Sequence, residues 1–246
     1  MKLLLIDNSN TRTKFAIAGE GDAMSGSFWL PTAELDSDLL EERTRDFEFD
    51  SVIIGSVVPE KRQLLEAFFS EQAAVHVLNS GSPLGIDIDY PQPQSVGADR
   101  LANAVAVADR HGSPAIVIDF GTAVTFDVVS AAPAYCGGVI APGLGAMSEY
   151  LGRRTALLPD FELAEPPSAI GKSTVGAMQS GAVLGYRGLV REILTAIRRE
   201  LDAPAMAVAT GGDAALIARG VPEIDTVDPE LTLHGLRLVA QRAFSR

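Results

Sequence analysis

The chain has 246 residues, 47% of them apolar, and a formal charge of −12, a size that suits one large domain or two of about 100–150 residues each. So acidic a balance lacks the clustered Lys and Arg that phosphate-backbone binding needs, which argues against nucleic acid as a partner. One cysteine (Cys136), three scattered histidines (His76, His111, His234) and no long apolar run exclude an internal disulfide, a spaced zinc site and a membrane span, and point to a cytoplasmic protein.

Residues 1–18 read as a β-hairpin. The apolar run Leu3-Leu4-Leu5-Ile6 ends at Asp7, a small polar turn follows, and Phe15-Ala16-Ile17 re-enters an apolar strand. The acidic stretch 19–50 carries a predicted helix around Thr32 to Thr44. Ser51 to Ile54 is predicted as a strand opening into Gly55-Ser56-Val57-Val58-Pro59, with an amphipathic helix from Glu60 to about Ser70 and a short strand from Val75 to Leu78. Residues 81–97 hold Pro83, Pro91, Pro93 and Tyr90 and read as a loop of limited freedom. A helix follows from about Asp99 to Arg110, with Gly112 as its stop.

The second half repeats this order. It reads as a hairpin over 115–129, a strand and Gly/Pro loop over 136–145, a long helix from Ser173-Thr174 to about Leu201, a strand from Ala205 to Ala209 and a closing helix from Leu231 to Phe244. Strands alternating with helices imply an α/β fold with a mixed sheet in each half, and a boundary near 113 divides the chain into 1–113 and 114–246.

The repeat carries the chemistry. Ala115-Ile116-Val117-Ile118-Asp119-Phe120-Gly121-Thr122 places a second strand-ending aspartate 112 residues after Asp7. Two such bends facing one another offer donors for phosphates and carboxylates for cations, as phosphoryl transfer requires. Asp7 suits Mg²⁺ held against nucleotide phosphates; an Asx-rich turn without any ligand is the alternative. Gly97-Ala98-Asp99-Arg100 opens a helix, where Asp99 either meets an alcohol nucleophile or caps the helix. Arg100 pairs with an anionic substrate or with a neighbour.

Thr210-Gly211-Gly212-Asp213 lies at a strand-to-helix junction and permits close approach to a base or ribose, or simply a tight turn. Gly137-Gly138 and Pro142-Gly143-Leu144-Gly145 are flexible backbone or packing turns. Gly171-Lys172-Ser173-Thr174 is not a Walker A loop, because Pro166 stands where that loop needs glycine. Thr174 is a hydroxyl at a helix start or its cap. The following helix, with Gly181, Gly185 and Gly188, reads as a packing or dimer helix.

Together these residues resemble the type III pantothenate kinases, a branch of the sugar-kinase/actin-like ATPase superfamily. Asp7-Asn8-Ser9-Asn10-Thr11 resembles the family's first phosphate motif and Gly55-Ser56-Val57-Val58-Pro59 its Ser-Val-Val-Pro segment. Tyr90-Pro91 leading to Gly97-Ala98-Asp99-Arg100 resembles the substrate motif, Asp119-Phe120-Gly121-Thr122-Ala123 the second phosphate motif, and Thr210-Gly211-Gly212 the adenosine motif.

The resemblance implies two ribonuclease-H-like domains with the nucleotide cleft between them, and ATP-dependent phosphorylation of pantothenate to 4′-phosphopantothenate. It implies Asp99 as general base. Tyr90, Gly97, Ala98, Arg100 and Thr174 would then hold pantothenate. Asp7, Asn8, Ser9, Asn10, Thr11, Arg12, Thr13, Lys14 and Thr122 would contact ATP, with Gly211 and Gly212 at its adenosine. It further implies Mg²⁺ with Asp7, a monovalent cation (K⁺ or NH₄⁺) at Asp119, and a homodimer with the substrate site at the subunit interface. A non-catalytic ATP- or pantothenate-binding regulator of the same family is the alternative, and another small-molecule kinase or phosphatase a third reading. One departure stands out: Ser9 occupies a position where the family has glycine, and a turn needing φ > 0 there would cost about 1 kcal/mol.

Overall fold

A computed structural model describes residues 1–19, 21, 23–154 and 157–245. The elements are β1 (Leu3–Asn8), β2 (Arg12–Ala18), β3 (Met24–Pro31), α1 (Ser37–Thr44), β4 (Ser51–Ser56), α2 (Pro59–Ser70), β5 (Ala74–Val77), β6 (Asp87–Ile88) and α3 (Ala98–Arg110). They continue with β7 (Ala115–Phe120), β8 (Ala123–Val129), β9 (Ala134–Pro142), α4 (Leu144–Arg154), α5 (Thr174–Glu200), β10 (Met206–Gly211), α6 (Ala214–Ala218), β11 (Thr226–Val227) and α7 (Leu231–Phe244).

The chain forms two compact units. The first comprises Met1–Gly112, Pro133–Cys136 and Glu230–Arg246; the second comprises Ser113–Ala132 and Gly137–Pro229. The first unit is built on a mixed sheet of order β3-β2-β1-β4-β5. β1 pairs antiparallel with β2 and parallel with β4. The central strand is a continuous apolar run because helices cover both of its faces. Leu4 and Ile6 share a core with Val52, Ile54 and the α2 residues Leu65 and Phe69, while α7 lies against β1 and β4.

β3 is absent from the sequence reading. It is an edge strand with Ser25, Gly26 and Ser27 exposed, so its apolar alternation is weak. Leu30, 3% exposed, and Phe28 tie it to the core, the Phe28 ring stacked on Phe15 at 4.8 Å between centroids.

The second unit repeats the plan with the order β11-β10-β7-β8-β9. β7 is antiparallel to β8 and parallel to β10. Ile116, Ile118, Ala207 and Ala209 pack with Val183, Tyr186 and Val190 of α5. The first residues of β9 belong to the other unit, where Ala134 and Tyr135 pair in parallel with β6.

The units thus differ from a single cut at 113. The C-terminal helix α7, expected within 114–246, belongs to the first unit. Its partner there is α3. Thr232 Oγ1 donates to Asn103 Oδ1 at 2.8 Å, and both residues are buried. His234, 2% exposed, bridges the same helix pair. Its Nε2–H donates to Asp109 Oδ2 at 3.0 Å, and its Nδ1 accepts from Arg110 Nη2 and Arg237 Nη2, each at 3.2 Å. Two amphipathic helices far apart in the chain bury more by meeting each other than by staying with their sequence neighbours.

Burial holds the His234 imidazole below its ordinary pKa of 6.5; Arg110 and Arg237 push the same way, against the opposing Asp109 carboxylate. His76, on β5, is lowered by burial as well. A depressed histidine pKa means the unfolded chain takes up a proton that the fold resists, so the contribution is complete above about pH 6.5 and is lost as pH falls through the folded value. Urea unfolding is therefore expected to show a lower midpoint at about pH 5.5 than at about pH 8. His234→Gln is expected to shrink that difference, and an unchanged difference would assign it elsewhere.

Candidate active site

In the first unit the site begins where β1 ends. The register places Asp7 opposite Lys14 and Asn8 opposite Thr13 across the hairpin, and Asp7 opposite Gly55 on the parallel side. Asp7 is only 6% exposed. Its Oδ1 accepts from Ser9 Oγ at 3.3 Å, and Lys14 Nζ stands 3.8 Å from Oδ2.

The turn is closed from beneath by a chain of hydrogen bonds that runs from half-buried Ser56 to buried Asn8, Thr13 and Thr32. Ser56 Oγ donates to Asn8 Oδ1 (2.6 Å), Asn8 Nδ2 donates to Thr13 Oγ1 (2.7 Å), and Thr13 Oγ1 meets Thr32 Oγ1 (3.0 Å). Thr32 Oγ1 is also 2.7 Å from the Ser9 carbonyl. Asn8 and Thr13 thus spend their side chains within the protein, whereas Ser9, Asn10, Thr11 and Arg12 line the outer rim. The Arg12 guanidinium lies over the Trp29 ring, 4.5 Å from its centroid.

Ser9 carries no backbone strain. Among the described residues no non-glycine residue has positive φ, and the turn closes through Ser9 N–H to the Arg12 carbonyl at 3.1 Å. The penalty considered for serine does not arise, and its hydroxyl instead bonds to Asp7.

The substrate-motif residues cluster at the start of α3. Gly97, not Asp99, occupies the cap position, and Asp99 sits in the first turn with Oδ1 accepting from the Arg100 N–H at 2.8 Å. A Cβ on Gly97 would come within 2.5 Å of that same oxygen and 3.4 Å of Val57 Cγ1. Glycine is therefore what lets the carboxylate fold back over the helix start. Ala98 is buried beneath it.

Tyr90 and Arg100 converge on a residue absent from the sequence reading, Tyr135 at the start of β9. The Tyr90 and Tyr135 rings meet edge to face at 6.0 Å, and the Arg100 guanidinium stands 5.5 Å from the Tyr135 centroid. No local signal marks Tyr135, because its partners come from elsewhere in the chain.

In the second unit Asp119 stands one residue before the end of β7 and lies opposite Thr125 of the hairpin and Thr210 of β10. Gly121-Thr122 is a two-residue turn, and the Gly143 N–H donates to the Thr122 carbonyl at 3.1 Å. Tyr186 of α5 donates to the Pro142 carbonyl at 3.0 Å, which fixes the Pro142–Gly145 loop against this turn. Burial, with the Asp213 carboxylate adding to it, pushes the Tyr186 phenol up, so it is a steady donor.

Gly211 has φ of +92°, and a Cβ there would fall 2.5 Å from the Phe120 carbonyl and 2.7 Å from Asp119 Oδ1. The adenosine-motif glycine is thus packed against the second phosphate motif, and no side chain fits between them. Gly212 follows at the entry to α6. Thr174 is not the cap of α5: Ser173 is, its Oγ accepting from the Gly176 N–H at 3.1 Å. That leaves the Thr174 hydroxyl exposed at the helix start.

Comparison with known proteins follows the same lines. Residues 3–196 match the family model of type III pantothenate kinase. A type III pantothenate kinase of Akkermansia muciniphila is 52% identical over 240 residues, covering 98% of each chain. Among solved structures, a protein of Campylobacter jejuni described as a conserved Baf family transcriptional activator aligns with a TM-score of 0.64 at 20% identity, covering 97% of this chain and 98% of that one. A ROK family glucokinase of Streptomyces griseus aligns at 0.58 and 16% identity, covering 98% and 100%. Likeness at that level shows the fold alone, and the fold it shows is that of the sugar-kinase/actin-like ATPases.

The geometry of the first turn generates a test of its own. Ser9→Gly is expected to lower stability by about 0.5–1 kcal/mol, because it adds freedom to the unfolded chain and removes the bond to Asp7 without relieving any strain. Denaturant melts read this directly; a stabilised variant would mean the serine is strained after all.

Proposed function

This chain belongs to the type III pantothenate kinase family, whose reaction is ATP-dependent phosphorylation of pantothenate on the way to coenzyme A, and we propose how its residues divide that work. The observation that carries the assignment is 52% and 41% identity to type III pantothenate kinases over nearly the full chain, in a chain that carries Asp7, Asp99 and Asp119. On this reading Asp99 orients the pantothenate hydroxyl and takes its proton late, since a loose transition state needs little prior deprotonation. Arg100 and Tyr90 hold the substrate, its carboxylate toward the guanidinium. Ala98 and Gly97 shape the floor beneath Asp99. Thr174 adds a hydroxyl to pantothenate.

The backbone and hydroxyls of Ser9, Asn10 and Thr11, with Arg12, Lys14 and Thr122, donate to the ATP phosphates. Asn8 and Thr13 hold that turn in shape from below. Gly212, where a Cβ would meet nothing within 4 Å, leaves room for the adenosine, and Gly211 turns the backbone beside it.

The cations fit the donor set. Among the described residues no group of three His, Cys, Asp or Glu side chains that could hold a metal ion comes together. Mg²⁺ characteristically takes one or two carboxylates plus phosphate oxygens, and the buried Asp7 offers one. Asp119, beside backbone carbonyls at the β7–β10 edge, offers a hard oxygen for K⁺ or NH₄⁺. When bound, both ions neutralise charge on the transferring phosphoryl group.

A homodimer suits the exposed face of α5. A Cβ on Gly181, Gly185 or Gly188 would meet nothing within 4 Å, and Leu184 and Val175 are 40% and 37% exposed beside them. We place the enzyme in the cytoplasm, where its substrates occur; among the described residues no helix is long and apolar enough to cross a membrane.

Two measurements test the division of roles. In a coupled assay with ATP, Mg²⁺ and pantothenate, transfer is expected with K⁺ and little with Na⁺; equal rates would remove the monovalent-ion role from Asp119. Asp99→Asn is expected to reduce turnover by about 10²–10⁴-fold while calorimetric ATP binding stays largely intact. Near-normal turnover would leave Asp99 a helix-start residue only.

A further inference from the structure

Tyr135 is fully buried, lies outside every motif described above, and grips the substrate segment in three ways. Its backbone carbonyl accepts from the Asp89 N–H at 2.9 Å, one residue before Tyr90. Its ring meets the Tyr90 ring edge to face at 6.0 Å. Its ring also faces the Arg100 guanidinium, 5.5 Å from centroid to Cζ. The parallel pairing of β6 with Ala134 and Tyr135 fixes where this ring sits relative to the loop, and β9 is otherwise a strand of the second unit's sheet.

We propose that Tyr135 is a positioning residue for pantothenate: its aromatic face pre-sets the Arg100 guanidinium and its edge pre-sets Tyr90 before substrate arrives. The inference rests on the reading of Arg100 and Tyr90 as substrate-holding residues and deepens it. An arginine side chain is long and loses rotamer freedom when it binds a carboxylate, so a group that orders it beforehand improves affinity. A cation over a desolvated aromatic face is held by the ring quadrupole, so the hold depends on ring electrons and not on the phenolic oxygen. The effect belongs to substrate binding. The side chains it orders, Tyr90 and Arg100, are the ones read as holding pantothenate, so the effect is expected in the KM for pantothenate and not in turnover at saturation or the KM for ATP.

The test separates electronics from shape. Tyr135→Phe keeps the ring and is expected to retain a KM for pantothenate within about twofold of the parent, whereas Tyr135→Leu is expected to raise it about tenfold with kcat and the KM for ATP nearly unchanged. Because a buried leucine can cost folding, the deciding variant is 3,4,5-trifluorophenylalanine at position 135, nearly the shape of phenylalanine but with a depleted ring face. It is expected to raise the KM for pantothenate several-fold over Tyr135→Phe at matched melting temperature. A fluorinated variant equal to Tyr135→Phe, or variants in which kcat and the ATP KM move together with the pantothenate KM, would overturn the inference. Failure of the parent protein to phosphorylate pantothenate would instead sink the functional reading beneath it.

Discussion

Each sheet rests on one placement: a carboxylate at the end of its central strand, between an antiparallel hairpin partner on one side and a parallel strand on the other. In the first unit Asp7 lies between Lys14 and Gly55; in the second Asp119 lies between Thr125 and Thr210. Open α/β sheets take ligands beyond the carboxyl ends of their strands, because the strand order leaves a crevice there and loops supply the donors. A strand that is apolar along its length and acidic only at its last positions can be buried on both faces and still present charge at one edge. Everything else in the two units serves that edge.

The service differs between the units. In the first, hydroxyls and one amide close the turn from below through Ser56, Asn8, Thr13 and Thr32. A fully satisfied polar chain of this kind rigidifies its surroundings, since any break leaves a buried donor or acceptor unpaired. In the second, the turn is held by backbone, with Gly143 and Gly211 lying directly against it. The helix carrying Asp99 has a third support. α3 is pinned along its length by α7 through Asn103–Thr232 and Asp109–His234, so the carboxylate at its start inherits the rigidity of the helix pair.

Much of this is legible in the sequence. Leu3 to Asp7 and Ala115 to Asp119 declare themselves because a doubly covered strand is an unbroken apolar run and its terminating aspartate breaks the pattern. Gly97-Ala98-Asp99-Arg100 was visible as a helix start, but not which residue caps it. That depends on the 2.5 Å between a hypothetical Gly97 side chain and the Asp99 oxygen, a distance no spacing rule contains. The Ser9 backbone was equally hidden, since a serine letter is compatible with either sign of φ. β3 leaves little trace in the sequence because an edge strand is half solvated and needs little apolar content.

By itself the order of residues determined the two duplicated strand–turn–strand bends, the α/β class, the helix bearing Asp99 and the family to which these motifs point. All are local patterns or motifs, set by periodicity, turn chemistry and residue type within short windows. Only the tertiary structure decided that α7 joins the first unit, that Tyr135 underlies Tyr90 and Arg100, and that Gly211 must lie against Asp119. Those relations join residues far apart in the chain, and what selects them is burial and close packing between elements, a quantity that has no expression until the chain has folded.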